Sequence, residues 1–269
     1  MNMKSTNMTW VGSNKTFIDE LDITRVQNVT VGRFGGNSGA GSNKNEDGCL
    51  VWGNEAENWE FTMVLDGHKT AKSVELVINH FEKNAIEIKS VLSKSASVAL
   101  KKLDHLILDI FQEPDFMESC RKTTGETACL IVVRKEKYLW WFSVGDCILH
   151  LFHPELIALG ERQLVQRSFY EWVGEVNTFE LPVPCYSTGK KELRKGVNQI
   201  FMTTDGLTEC PGVPYEDAVE VQRVLSEIRL DEAVRFLLED IRRNQVRDST
   251  TIISWSVDIE ETASLPSDL

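Results

Sequence analysis

No run in this 269-residue sequence approaches the roughly 20 consecutive apolar residues that a membrane-spanning helix needs. The opening residues, MNMKSTNMTWVGSNK, are polar and contain no apolar secretion-signal core. A cytoplasmic protein with no membrane partner is therefore expected. Basic residues are scarce beside acidic ones, 29 against 41, for a formal charge of -12. Such a balance repels phosphate backbones and anionic lipid, which excludes nucleic acid as an expected partner. The six cysteines form no C-x-x-C pair and no Cys/His ligand spacing, so a structural zinc site has no support. Most of them stand beside apolar residues, as free buried thiols of a reducing compartment do. No internal repeat and no composition break divides the chain. The glycine-rich stretch GGNSGAGSNKNEDG lacks the G-x-x-x-x-G-K-[ST] order and precedes a strand, which argues against a nucleotide-cradling loop.

What is present is an ordinary globular composition, 42% hydrophobic and 26% charged, in a chain long enough for a large core. Alternation from Val26 to Phe34 predicts a strand, and CLVWG, beginning at Cys49, predicts a second. The apolar run Phe61 to Leu65 ends in Asp66-Gly67-His68. Beyond it, Ala71, Val74, Val77, Ile78, Phe81, Ala85 and Ile88 recur at helical spacing. A second helix is predicted from about Ser95 to Phe111, with Pro114 past its end. TACLIVVR, YLWWFSVG and CILHLF read as an antiparallel meander. Residues 154–196 read as an irregular surface excursion. QIFMTT then leads into Asp205, two amphipathic helices span about Tyr215 to Asn244, and TTIISWSV closes the core. The main body is expected over residues 1–258, and a disordered polar tail over 259–269.

Acidic residues recur where apolar strands begin or end: Glu46-Asp47, Asp66, Asp146, Asp205 and Asp248. Any one of them alone is an ordinary turn residue. Together, at the ends of strands in one compact layer, they would repel: two carboxylates about 4 Å apart cost roughly 4 kcal/mol at an effective dielectric near 20. Converging carboxylates therefore call for cations. All-oxygen ligation suits Mg²⁺ or Mn²⁺, and two such ions about 3.5–4 Å apart could clamp a water between them.

In order, NEDG (45–48), VLDGH (64–68), GETA (125–128), VGDC (144–147), TTDGLTE (203–209) and RDSTTI (247–252) resemble the signature elements of the metal-dependent, type 2C serine/threonine protein phosphatases. The resemblance spans about Val26 to Val257. It implies an α/β (α+β) four-layer sandwich, two packed antiparallel sheets flanked by helices on both sides, with a metal centre at one end. By resemblance, Asp66 would bridge two Mg²⁺ or Mn²⁺ ions. Glu46 and the Gly67 carbonyl would serve one ion, Asp205 and Asp248 the other, and Asp47 would act on the metals nearby, directly or through water. Asp146, with Asp205, matches a place for a weaker third ion. A metal-activated water would attack the phosphorus of a phosphoserine or phosphothreonine, and His68 would protonate the leaving oxygen. A phosphorylated protein is the implied partner, and a monomer is expected.

The sequence departs from the pattern at Ser42, where the family carries a phosphate-binding arginine. Lys44, Lys69, Arg162 or Arg167 are candidates to replace it, although a lysine supplies a point charge and not a fork. DGHKT replaces the commoner DGHGG, and Ser249 follows Asp248 where asparagine is frequent. Ser42 keeps alive the alternative of a phosphatase-like binding or regulatory protein that is weak or inactive as an enzyme. A phosphoesterase acting on a small metabolite is a third reading.

Overall fold

A computed structural model describes residues 7–267. A seven-stranded sheet runs in the order β1 (Asn7–Val11), β4 (Gly48–Asn54), β5 (Trp59–His68), β6 (Glu126–Lys135), β7 (Tyr138–Val144) and β11 (Ser187–Glu192), with β10 (Val173–Gly174) also paired to β6. A six-stranded sheet runs β2 (Leu21–Val26), β3 (Val29–Phe34), β13 (Thr250–Ile259), β12 (Gly196–Thr203), β8 (Ile148–Phe152) and β9 (Gln163–Val165). Every pairing is antiparallel.

The period-two pattern explains why both faces of the central strands are apolar. In β5 and β6, Phe61, Met63, Leu65, Ile131 and Val133 face helices, while Val64, Leu130 and Val132 face the other sheet. Helices α1 (Lys72–Lys83), α2 (Ala85–Leu92), α3 (Ala96–Phe111) and α4 (Pro114–Lys122) cover the first sheet, through Val74, Ile78, Leu103, Ile107 and Phe116 among others. The short α5 (Pro154–Ala158) follows β8. On the second sheet, α6 (Ala218–Glu227) and α7 (Leu230–Arg243) set Val234, Leu237, Leu238 and Ile241 against Phe34, Phe201 and Ile252. The result is the expected four layers. At the end of the β5–β6 pair remote from Asp66, Glu60 and Arg134 lie opposite each other and form a buried two-bond ion pair.

Several local expectations are corrected. The strand expected from Val26 begins at Val29, because Val26 ends β2 and Gln27, at φ 54°, turns the chain so that β3 pairs back along it. The expected 71–88 helix breaks at Asn84, whose side-chain amide donates to the His80 carbonyl at 3.0 Å. Pro114 opens α4 as well as following α3, since a first-turn proline has no needed N–H to lose. The meander stops at Val144: through Gly145, at φ 89°, the chain crosses to the second sheet, where β8 pairs with β12. Residues 154–196 are more regular than expected, for they include β11, whose polar STGKKE sequence suits an exposed sheet edge.

After β13 the tail makes defined contacts. The Ser264 N–H donates to Glu192 at 3.1 Å, its carbonyl accepts from Arg194 at 2.9 Å, and Ala263 is buried. Residues 268 and 269 lie outside the described residues. Cys49, Cys120, Cys129, Cys147 and Cys210 are free and buried, as expected, whereas Cys185 is exposed. Among the described residues no helix is long and apolar enough to cross a membrane.

Candidate metal centre

The acidic motifs converge because the strands that carry them end at one edge of the sandwich. NEDG leads into β4, whose Gly48 pairs with Leu65, so Glu46 and Asp66 reach the same end of the first sheet. In the second sheet Thr203 pairs with Ile252, and the Thr204 N–H donates to the Thr251 carbonyl at 3.1 Å. That pairing brings the Asp205 turn beside Asp248. Two glycines permit the close approach: a Cβ on Gly67 would lie 2.5 Å from the Glu46 carbonyl oxygen, and one on Gly206 would lie 2.1 Å from that of Ser249. Between these segments opens a cleft of about 630 Å³, lined by Glu46, Asp66, Gly67, His68 and Asp248.

Asp66 and Asp205 are in mutual hydrogen-bonding contact, which requires a shared proton or a cation. Burial first, then the charges of Asp205, Asp47, Asp248 and Asp146, push the Asp66 carboxyl well above its ordinary range. Asp205 is raised to about 7, by burial and then by Asp248, Asp146 and Glu209. Asp248 is also raised, chiefly by the protein around it, although its surface is open to solvent and the Ser249 N–H donates to it at 2.9 Å. Asp66 Oδ2 and Asp146 Oδ1 are buried with no hydrogen-bond partner among the described residues. Glu46 is paired with Lys44.

Asp47 is placed differently from the other carboxylates. It is fully buried and accepts hydrogen bonds from Ser249 Oγ at 2.7 Å, Thr251 Oγ1 at 2.7 Å and Thr204 Oγ1 at 3.1 Å. Burial still raises its pKa to about 7, against the hydroxyls, which lower it. Asp146 and Asp205 meet a cation from the excursion, Arg167. The His68 ring packs on Trp172, with centroids 4.4 Å apart, and its Nδ1 is buried without a partner among the described residues.

The candidates to replace the missing arginine separate clearly. Ser42 Oγ donates to the Gly35 carbonyl at 2.6 Å. Lys44 also donates to the Lys69 carbonyl at 2.9 Å, and Lys69, in a left-handed conformation at φ 71°, pairs with Glu175 at 2.8 Å. Both lysines line the cleft. Arg162 instead donates to Gln222 of α6 at 3.0 Å and is not part of the cleft lining. Arg247, which the sequence reading missed, does line it; its position directly before Asp248 was the available signal.

Among the described residues, no three His, Cys, Asp or Glu side chains stand at a spacing that holds an ion as they are. The donor set nevertheless fits a hard divalent cation: it is all oxygen, crowded, and includes the orphaned Asp66 Oδ2. No protein-family model and no curated protein matches the sequence. Solved structures do match in shape. A bacterial serine phosphatase is 18% identical with a TM-score of 0.61, over 88% of this chain and 99% of that one. RsbX in complex with magnesium is 15% identical with a TM-score of 0.58, over 88% and 100%. The serine/threonine phosphatase Stp1 from Staphylococcus aureus is 17% identical with a TM-score of 0.58, over 96% and 98%. The chain thus has the fold of the bacterial serine/threonine phosphatases of type 2C, the family its motif order resembles.

Proposed function

We propose that this protein is a Mg²⁺- or Mn²⁺-dependent phosphatase of phosphoserine and phosphothreonine in proteins. The observation that carries the reading is the buried Asp66–Asp205 contact, with an Asp66 oxygen that has no partner among the described residues, in the lining of the cleft. Glu46 and the Gly67 carbonyl would hold one ion, Asp205 and Asp248 the other, and Asp66 both. Bound ions would supply positive charge to the phosphoryl oxygens and an activated water for attack on phosphorus. His68 would deliver a proton to the leaving oxygen, with Trp172 fixing its ring. Asp47, tied by three hydroxyls, would position Glu46 and the Asp248–Ser249 turn.

The rim cations Lys44, Lys69 and Arg247 would receive the substrate phosphate. Arg247 is the one that offers a planar fork, so Arg247→Ala should raise KM for a phosphopeptide about fivefold to tenfold while leaving kcat within about twofold. An unchanged KM would remove it from the binding site.

A second reading, a binding protein without turnover, is favoured by Ser42, whose hydroxyl is committed to the Gly35 carbonyl. Purified protein assayed on p-nitrophenyl phosphate and phosphothreonine peptides, with Mn²⁺, Mg²⁺ or chelator, separates the two. The enzyme reading expects metal-dependent turnover that chelator abolishes and Asp205→Asn lowers by about a hundredfold or more. Folded protein inert with either metal would establish the binding protein instead.

A further inference from the structure

Of three carboxylates at the acidic end, Asp146 and Asp205 are not part of the cleft lining to which Asp66 belongs, while Glu209 is. Asp146 sits in the turn between β7 and β8, Asp205 opens the turn after β12, and Glu209 lies one 3-10 turn further on. They meet around one side chain from the excursion. Arg167 Nη2 is 3.4 Å from Asp146 Oδ2 and 3.4 Å from Asp205 Oδ2, and it also pairs with Glu209. The equal distances put a single nitrogen between two carboxylates, the position a small cation would take.

This is a built arrangement. The Asp146, Asp205 and Arg167 side chains are 5%, 11% and 20% exposed. The next residue is fastened to the same turn, for the Ser168 N–H donates to the Gly145 carbonyl at 3.0 Å. The guanidinium also lies over the Phe169 ring, 4.8 Å from its centroid. A guanidinium keeps its charge at any working pH and cannot dissociate from its own chain.

Resting on the metal-dependent reading above, we propose that Arg167 is a built-in cation for the Asp146–Asp205–Glu209 corner. Divalent ions then enter only on the Asp66–Asp248 side of Asp205, and no further ion enters between Asp205, Asp146 and Glu209. The remaining acceptor there, the buried Asp146 Oδ1, has no partner among the described residues, so removing the arginine would leave a pocket of oxygen ligands with nothing to neutralise it.

The test counts ions. Chelator-stripped wild type, Arg167→Ala and Arg167→Lys would be equilibrium-dialysed against saturating Mn²⁺, and bound manganese measured per chain, with circular dichroism checking the fold. Arg167→Ala should hold one more ion than wild type at the same free concentration, whereas Arg167→Lys, which keeps the charge, should hold the wild-type number. If Arg167→Ala fails to fold, Arg167→Gln, neutral and polar, carries the same expectation. Equal counts in wild type and the neutral variant, or an extra ion in Arg167→Lys, would overturn this proposal while leaving the metal centre intact. No manganese in any form would overturn the metal centre itself, and the proposal with it.

Discussion

Asp47 and Asp66 are both buried aspartates of the first sheet's acidic end, close enough for the charge of one to raise the pKa of the other. Asp47 accepts from three hydroxyls contributed by Thr204, Ser249 and Thr251. Asp66 has one oxygen without a partner among the described residues, and it contacts a second carboxylate, Asp205. The same residue type, buried in both places, is therefore solvated by the protein in one case and left to a shared proton or a cation in the other. Hydroxyl donors offset part of the burial penalty at Asp47 and fix its geometry without an ion. At Asp66 Oδ2 no donor among the described residues does so. An aspartate at a strand end is thus read by its donors, because depth alone does not separate a structural carboxylate from a ligand.

Substituting each aspartate by asparagine should produce the largest contrast. Asp66→Asn should reduce Mn²⁺-dependent turnover by about a thousandfold, since it removes the carboxylate assigned to both ions. Asp47→Asn should keep turnover within about tenfold after correction for folded fraction. Stability of the chelated protein should change in opposite directions. Asp47→Asn places an amide donor against hydroxyl donors and should lose about 1–3 kcal/mol in denaturant unfolding. Asp66→Asn relieves a crowded carboxyl and should be neutral or stabilising. Equal losses of turnover, or stability changes of the same sign and size, would erase the distinction between the two residues.

The contrast was only half legible in the sequence. Asp66, Asp205 and Asp248 could be placed together because each joins an apolar run to an Asp-Gly or Asp-Ser turn, and the motif order fixed which strands carry them. The four layers were implied by the resemblance alone, whereas individual strands and helices were legible because periods of two and 3.6 are local properties of β5, β6 and α7. The wrapping of Asp47 was not, because its donors come from two segments far along the chain and Thr and Ser carry no spacing that marks a partner. Trp172 was hidden in a region without periodicity, where contact with the site depends on tertiary placement, and Arg167, a candidate there for the substrate phosphate, pairs instead with Asp146 and Asp205. The β7–β8 crossing was hidden because Gly145-Asp146 reads equally as a hairpin turn or a passage between sheets. Edge strand β11 was hidden by its polar sequence, since a strand with little buried face has little alternation to show.

The smallest perturbation probes the wrapping one donor at a time. Ser249 Oγ gives Asp47 Oδ1 its hydrogen bond at 2.7 Å, while Thr204 and Thr251 serve Oδ2. Ser249→Ala therefore strips one oxygen of Asp47 and leaves the other held, changing a carboxylate of the first kind part of the way toward the second. The unmade bond is buried, so chelated protein should lose about 1–2 kcal/mol in denaturant unfolding. Ser249 also donates its backbone N–H to Asp248, and alanine retains that bond. The assigned ligands are thus left in place, and the Mn²⁺ concentration giving half-maximal turnover should stay within about twofold of wild type. A shift of tenfold or more would mean that the Asp47 oxygen freed by the substitution reaches the ions, and that the hydroxyl shell is part of the metal centre and not a support beneath it.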